Sequence, residues 1–329
     1  MRELQLDIAV TRGDSVESLH QVHAAVVDAS GELVAFARNA GLVTHWRSCA
    51  KPFQVMPMVE AGGFDALRWG DDRLAMACAS HGGEPEHLAI AAAMLADLGL
   101  SEDALACGPH EPLSARGARI VRESGRPPTR LHNNCSGKHA AMLGRARTAG
   151  WPTAGYHTAA HEVQQACLAS VSRWSGVTPD AIGRAVDGCG VVEYSLSLIG
   201  MATAYARLGQ AAAAGDPGPA RVVGAIQAHP FLVGGTDRFD TILMEETRGR
   251  VVCKVGAEGV HSAVCLDRGV GVAIKAGDGA TRAQYPALLR ALQLLEVLPV
   301  ALPPRLSALA RYPLYNTRGE PVGEVRPVA

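Results

Sequence analysis

The chain has 329 residues, 48% of them hydrophobic and 19% charged, and a formal net charge of −1. This is enough apolar material for a sizeable core in one large domain, and the near-neutral charge argues against nucleic acid or a polyanionic surface as the main partner. No run of about 18 apolar residues exists, so no transmembrane helix and no membrane partner are expected.

The chain opens with Leu4, Leu6, Ile8 and Val10 alternating with polar residues. That period of two predicts a first strand, and the stretch lacks the apolar core of a signal peptide. The expected location is therefore cytoplasmic, where Cys49, Cys78, Cys107, Cys135, Cys167, Cys189, Cys253 and Cys265 default to free thiols. None of their spacings is CxxC, which argues against a zinc ribbon. A hairpin follows over residues 20–27 and 33–37, with Asp28-Ala29-Ser30-Gly31 as its turn. The middle reads as helices over 48–61, 73–79, 85–98, 137–149, 159–174, 191–208 and 219–229; Pro85 at a first helical position is a good start signal. Short strands are predicted at 241–246, 250–255, 263–267 and 270–275, joined by Gly-containing turns that favour antiparallel pairing. A helix over 281–298 ends at Pro299, Pro303 and Pro304, and 321–325 adds an edge strand. Strands at both ends with helices between them predict an α+β fold, in which terminal strands share an antiparallel sheet around a helical subregion of roughly 65–230. No clean linker divides the chain, so a single domain over residues 1–329 is expected.

Several segments carry chemistry. Arg47-Ser48-Cys49-Ala50-Lys51-Pro52 contains a Ser-x-x-Lys, and Lys254-Val255-Gly256 is a Lys-x-Gly inside a predicted strand. Serine acyl-transfer enzymes of the β-lactamase and penicillin-binding type use such a pair in this chain order. A serine alcohol needs a base within hydrogen-bond reach, and a lysine taken out of water can be that base. One helical turn puts Ser48 and Lys51 on one face, and a helix start there would aim backbone N–H groups at a developing oxyanion. The bland alternative is an N-cap serine beside a surface lysine. Ser80 ends an apolar run before Gly82-Gly83, where glycines let a substrate approach the backbone or simply cap a helix. His132-Asn133-Asn134-Cys135-Ser136-Gly137-Lys138-His139 is polar and rich in donors, and it leads directly into an apolar helix. An anion at the helix N-terminus fits it, and so does a metal, because Cys135, Lys138 and His139 can all coordinate. In Asp187-Gly188-Cys189-Gly190 the glycines leave the sulfur accessible, so Cys189 can join Cys135 at a zinc site; two inert buried cysteines are the alternative. Lys275 is a second candidate for the strand lysine, ranked below Lys254.

Taken together, these segments resemble the Rhizobium etli-type L-asparaginases, a family separate from the bacterial type I and II asparaginases. The likeness spans nearly the whole chain and is most specific in the Asn-Asn-Cys-Ser-Gly-Lys-His run. It implies a β-lactamase/penicillin-binding-protein-like fold shared with serine glutaminases, a homodimer, and hydrolysis of L-asparagine to L-aspartate and ammonia. It implies two Ser–Lys pairs, Ser48 with Lys51 and Ser80 with Lys254, and a zinc ion held by Cys135, Lys138 and Cys189 with Asp187 and His139 close by. The zinc is expected to modulate substrate binding without performing chemistry. Arg47, Asn134, His139 and Gly256 are the candidates for holding substrate. Three other readings stay open: a glutaminase or other serine acyl hydrolase on the same fold, a metal-hydroxide amidohydrolase, and a non-catalytic zinc or amino-acid binding protein.

Overall fold

The structure is a computed structural model and describes residues 1–328. In chain order the strands are β1 (Arg2–Glu3), β2 (Ile8–Arg12), β3 (Ser15–His20), β4 (Val22–Asp28), β5 (Leu33–Ala37) and β6 (Val43–His45). Helices α1 (Lys51–Glu60), α2 (Gly63–Ala66), α3 (Asp71–Ala77), α4 (Pro85–Asp97), α5 (Ala115–Ser124), α6 (Ser136–Ala149) and α7 (Glu162–Ser175) follow. Next come β7 (Gly183–Val186), β8 (Val192–Ser197), α8 (Leu198–Ala213), α9 (Pro217–Ala228), α10 (Pro230–Val233) and α11 (Phe239–Glu246). The chain closes with β9 (Val251–Val255), β10 (Val260–Cys265), β11 (Val270–Ala276), α12 (Thr281–Leu294), α13 (Pro304–Ala310), β12 (Tyr312–Tyr315) and β13 (Pro321–Pro327). The fold is mixed α+β. Among the described residues no helix is long and apolar enough to cross a membrane.

Two compact units emerge. The first takes residues 1–49, 196–210 and those from 246 on; the second takes 50–195 and 211–245. The first unit is built on a six-stranded sheet in the order β1-β5-β4-β11-β10-β9, antiparallel except where β1 runs parallel to β5. Its central strands are buried on both faces, which explains their near-continuous apolar runs, such as Val22 and Ala24 to Val27 in β4. Helix α12 packs on β11 through a stripe that buries Leu288, Leu289 and Leu292. A four-stranded sheet, β12-β13-β2-β3, completes this unit.

Two strand expectations change here. Leu4, Leu6, Ile8 and Val10 are all buried as the alternation requires, yet they do not form one strand. The chain changes sheets between β1 and β2. At the crossing Asp7 is buried, and its carboxylate accepts the Val22 N–H (3.0 Å) and Arg38 Nε–H (2.9 Å). The hydrogen bond from Arg38 holds the Asp7 carboxyl below its ordinary range against the opposing effect of burial. The predicted edge strand near the C-terminus is not at an edge: β13 lies between β12 and β2. The edge belongs to β12, which carries Pro313, a residue with no N–H to donate to an outer neighbour.

The second unit is helical, with α1 packed against α6, α7 and α9. Most predicted helices stand within a few residues of their expected bounds. Residues 191–208 are corrected: the first part is β8, paired antiparallel with β7, and only the rest is helix. Val192, Tyr194 and Leu196 alternate inward, a period-two signal overridden in the sequence reading by the long apolar run that follows. The predicted strand 241–246 is instead helix α11, buried along Phe239 to Met244; a short apolar run does not reveal its period. Helix α5 was not predicted, because it buries only Gly117 and so carries no apolar stripe; Ser114 Oγ caps it by accepting the Gly117 N–H at 2.9 Å.

Candidate active site

Within the first unit, Ser48 lies in a tight 3-10 turn over Arg47–Ala50. It is half-buried and therefore reachable. Arg47 immediately before it adopts φ +55°, the left-handed region that a non-glycine residue enters only at a cost. The neighbouring atoms enforce this shape. Cys49 Sγ donates to the Lys254 carbonyl at 2.9 Å, the Tyr205 hydroxyl donates to the Cys49 carbonyl at 2.8 Å, and Trp46 Nε1–H donates to Ser262 Oγ at 3.0 Å. Ser262 stands directly opposite Lys254 in the β9–β10 ladder. The turn that carries Ser48 is thus fastened onto the strand that carries Lys254. Gly256 makes the close approach possible: a Cβ there would sit 3.1 Å from Cys49 Sγ and from the Trp46 and Val260 carbonyl oxygens. Lys254 is buried and donates to the Val255 carbonyl at 2.9 Å. Lys275 is half-buried, with Nζ donating to the Glu258 and Ala276 carbonyls at 2.7 Å each.

Within the second unit, Lys51 opens α1 and is fully buried. Its Nζ donates to the Ala79 carbonyl and lies 3.0 Å from Ser80 Oγ. A buried lysine against a serine hydroxyl is an arrangement suited to passing a proton. Ser80 follows the end of α3, held by its N–H to the Val233 carbonyl at 3.0 Å. The next residue, His81, donates its backbone N–H to the Asn134 carbonyl and lies with Nε2 2.9 Å from Ser136 Oγ. Its Nδ1 accepts the Gly83 N–H, so the neutral ring carries its proton on Nε2 and donates to Ser136. Burial keeps His81 neutral, pushing it well below the ordinary histidine value. The glycines after Ser80 lie tightly against the neighbouring chain. A Cβ on Gly82 would strike Ser114 at 2.7 Å, and one on Gly83 would strike Pro112 at 2.9 Å.

The same unit gathers the sulfur ligands. Cys135 is the residue before α6 and Lys138 lies in the helix's first turn. Asn133 orients this entry: its Oδ1 accepts the Cys135 N–H at 3.0 Å and its Nδ2 donates to the Gly108 carbonyl at 2.9 Å. Asp187 and Cys189 sit in the β7–β8 turn, which closes through Asp187 N–H to the Val191 carbonyl (2.9 Å) and through Gly190 at φ +89°. The ligand atoms of Cys135, Asp187 and Cys189 all lie within 4.8 Å of one another, and Lys138 Nζ donates to Cys189 Sγ at 3.1 Å. The Cys135 thiol donates to Cys189 and lowers the latter to about 6, against the opposing effect of burial. The same bond, with burial, pushes Cys135 up to about 12. Burial alone would depress Lys138, but the two sulfurs and Asp187 raise it above the ordinary lysine value. These contacts favour negative charge on Cys189 and positive charge on Lys138, so Lys138 would have to give up a proton to hold a metal.

His139, the next residue, is fully buried, and burial pushes it down to about 3, so its ring is neutral. Its Nδ1 lies 2.6 Å from the Tyr156 hydroxyl. Neither Tyr156 nor the His81–Ser136 pair was singled out in the sequence. Tyr156 stands in an ordinary loop with nothing periodic around it.

The L-asparaginase II family model matches residues 8–327, nearly the whole chain. The chain belongs to the L-asparaginase II family. No curated protein matches it in sequence. As an L-asparaginase it acts on a small substrate, releasing ammonia from the asparagine side-chain amide. For an L-asparaginase, the observed groupings are a reachable serine on a strained turn, a second serine against a buried lysine, and a cluster of thiols with an amine and a carboxylate.

Proposed function

We propose that this L-asparaginase works through serine acyl transfer, as an enzyme of the Rhizobium etli type. Ser48 attacks the side-chain amide carbon of L-asparagine while Lys51, one turn further along the chain, takes its proton. The amide C–N bond then breaks; Ser80 and Lys254 relay a proton to the departing ammonia, leaving a β-aspartyl ester on Ser48. Water attacks the ester, the proton returns to the serine, and L-aspartate leaves. Backbone N–H groups, that of Ser48 among them, face the developing oxyanion. Lys51 Nζ at 3.0 Å from Ser80 Oγ is the observation that supports serine–lysine proton transfer: it equips a buried corner next in sequence to the Ser48 turn, and it links Lys51 to Ser80, the serine given to the relay. Arg47, Asn134 and His139 are assigned to the substrate's charged groups, and Gly256 to the shape of the pocket wall.

The donor set of the sulfur cluster fits zinc. Two thiols and a carboxylate with ligand atoms within 4.8 Å of one another are the soft and hard donors that zinc takes. Cys135, Cys189 and Lys138 would hold the ion, with Asp187 beside it. Bound there, zinc would supply a fixed positive charge that favours a carboxylate-bearing substrate. The reading also includes a β-lactamase-like fold relationship, a homodimer and a cytoplasmic location.

The test is ammonia release from L-asparagine, with L-glutamine in parallel, for the purified enzyme and its Ser48→Ala variant. Release from asparagine well above glutamine, lost in Ser48→Ala, is expected. Ordinary turnover by Ser48→Ala would overturn the serine route, and equal release from both amides would overturn the substrate preference.

A further inference from the structure

The hydrogen bonds around His139 determine which of its nitrogens carries the proton. The Ala106 N–H donates to the Tyr156 hydroxyl oxygen at 2.8 Å, and that oxygen lies 2.6 Å from His139 Nδ1. Burial raises Tyr156 above the ordinary phenol value, so its one proton is in place. Two arrangements are then possible. If Tyr156 donates to Nδ1, the only buried group left unmatched is an N–H at Nε2. If Nδ1–H donates to Tyr156 instead, both the phenol proton and the Nε2 lone pair are left without partners. Unmatched buried polar groups are costly, so the first arrangement wins. Nε2 is buried and has no hydrogen-bond partner among the described residues. Lys138, Cys135, Lys51 and His157 act on the ring electrostatically. A buried, unmatched N–H within the field of two lysines is a donor suited to an anionic oxygen.

We propose that Tyr156 is a positioning residue that locks His139 in the Nε2–H form, and that this N–H donates to the α-carboxylate of bound L-asparagine. This rests on the assignment of His139 to substrate binding made above. The lock acts on binding more than on chemistry, so its loss should appear in KM and leave kcat nearly unchanged.

The experiment combines nitrogen NMR of the ¹⁵N-histidine-labelled enzyme with steady-state kinetics. The His139 signals are identified by their absence in His139→Gln. In the wild-type enzyme Nε2 should carry the proton; in Tyr156→Phe that preference should fade and KM for L-asparagine should rise about tenfold. A wild-type His139 protonated at Nδ1, or a Tyr156→Phe enzyme with unchanged tautomer and KM, overturns the proposal. If Tyr156→Phe does not fold, the side-chain amides decide. His139→Gln reaches the Nε2 position and His139→Asn reaches only Nδ1, so KM should rise less in His139→Gln than in His139→Asn. Equal or reversed KM values for these two variants overturn the proposal. The tautomer is read without turnover, so failure of the serine mechanism leaves this question separately answerable.

Discussion

The two units hold their candidate residues by different means. In the sheet-based unit, Ser48 and Lys254 are placed by backbone: a ladder register opposite Ser262, carbonyls that accept from Cys49 and Tyr205, and a glycine where a side chain has no room. In the helical unit, Lys51, Ser80, His81, His139 and the thiols are placed by one another, through buried side-chain contacts of 2.6 to 3.1 Å. Loss of one side chain in the sheet-based unit leaves the ladder register in place. A side-chain network transmits it, because every truncation leaves a partner buried and unmatched.

The largest effect that would sharpen this contrast comes from the serines. Ser48→Ala should lower kcat by about 10³-fold or more with the fold intact by circular dichroism, and Ser80→Ala should lower it less. The opposite order would move the nucleophile to the helical unit, where Lys51 already stands beside Ser80. Next, Cys135→Ala and Cys189→Ala should each abolish stoichiometric zinc in metal analysis; full metal content in both variants would rule out the thiol site. Gly256→Ala should cost about 1–3 kcal/mol in denaturant unfolding, as a Cβ is pressed against three atoms at 3.1 Å, and should also lower activity by displacing the Ser48 turn. An unaffected variant would mean that the turn is less tightly seated than its contacts indicate. The smallest effect concerns Asp7. Its carboxyl is held below the ordinary value of 3.8, so its ionised form stabilises the fold above that pH, and this contribution is lost as pH falls through the lowered value. Asp7→Asn should therefore be less stable by about 1–2 kcal/mol at neutral pH, with the gap closing in acid. A gap that persists well below pH 3.8 would contradict the role given to the Arg38 bond.

Legibility in the sequence followed the same division. The 22–37 hairpin could be read because its turn chemistry is local: Asp28 Oδ1 accepts from Ser30 and from the Glu32 N–H, closing the turn by itself. Strands β9 to β11 and helices α4 and α6 announced themselves by period and by proline or polar starts. Helix α11 did not, since eight residues of mixed pattern fit either period, and the split of the first strand depended on Arg38, thirty-one residues beyond Asp7. The thiol cluster could be suspected because sulfur chemistry narrows the choices, although Cys135 and Cys189 lie far apart in sequence. The Lys51–Ser80 contact and the Tyr156–His139 bond had no such cue, because a tertiary contact between common polar residues leaves no local pattern.

The position of β13 bears on how the protein is made. Strand β2 pairs with β3 on one side as soon as both are synthesised, but its other neighbour begins 309 residues after β2 ends. At ribosomal speeds that is a delay of roughly 15–60 s. During this time Ile8, Ala9 and Val10 present an apolar strand with one open edge, a state prone to pair with other chains. The four-stranded sheet can therefore close only after residues 321–327 have emerged. This gives the enzyme a late, long-range folding step.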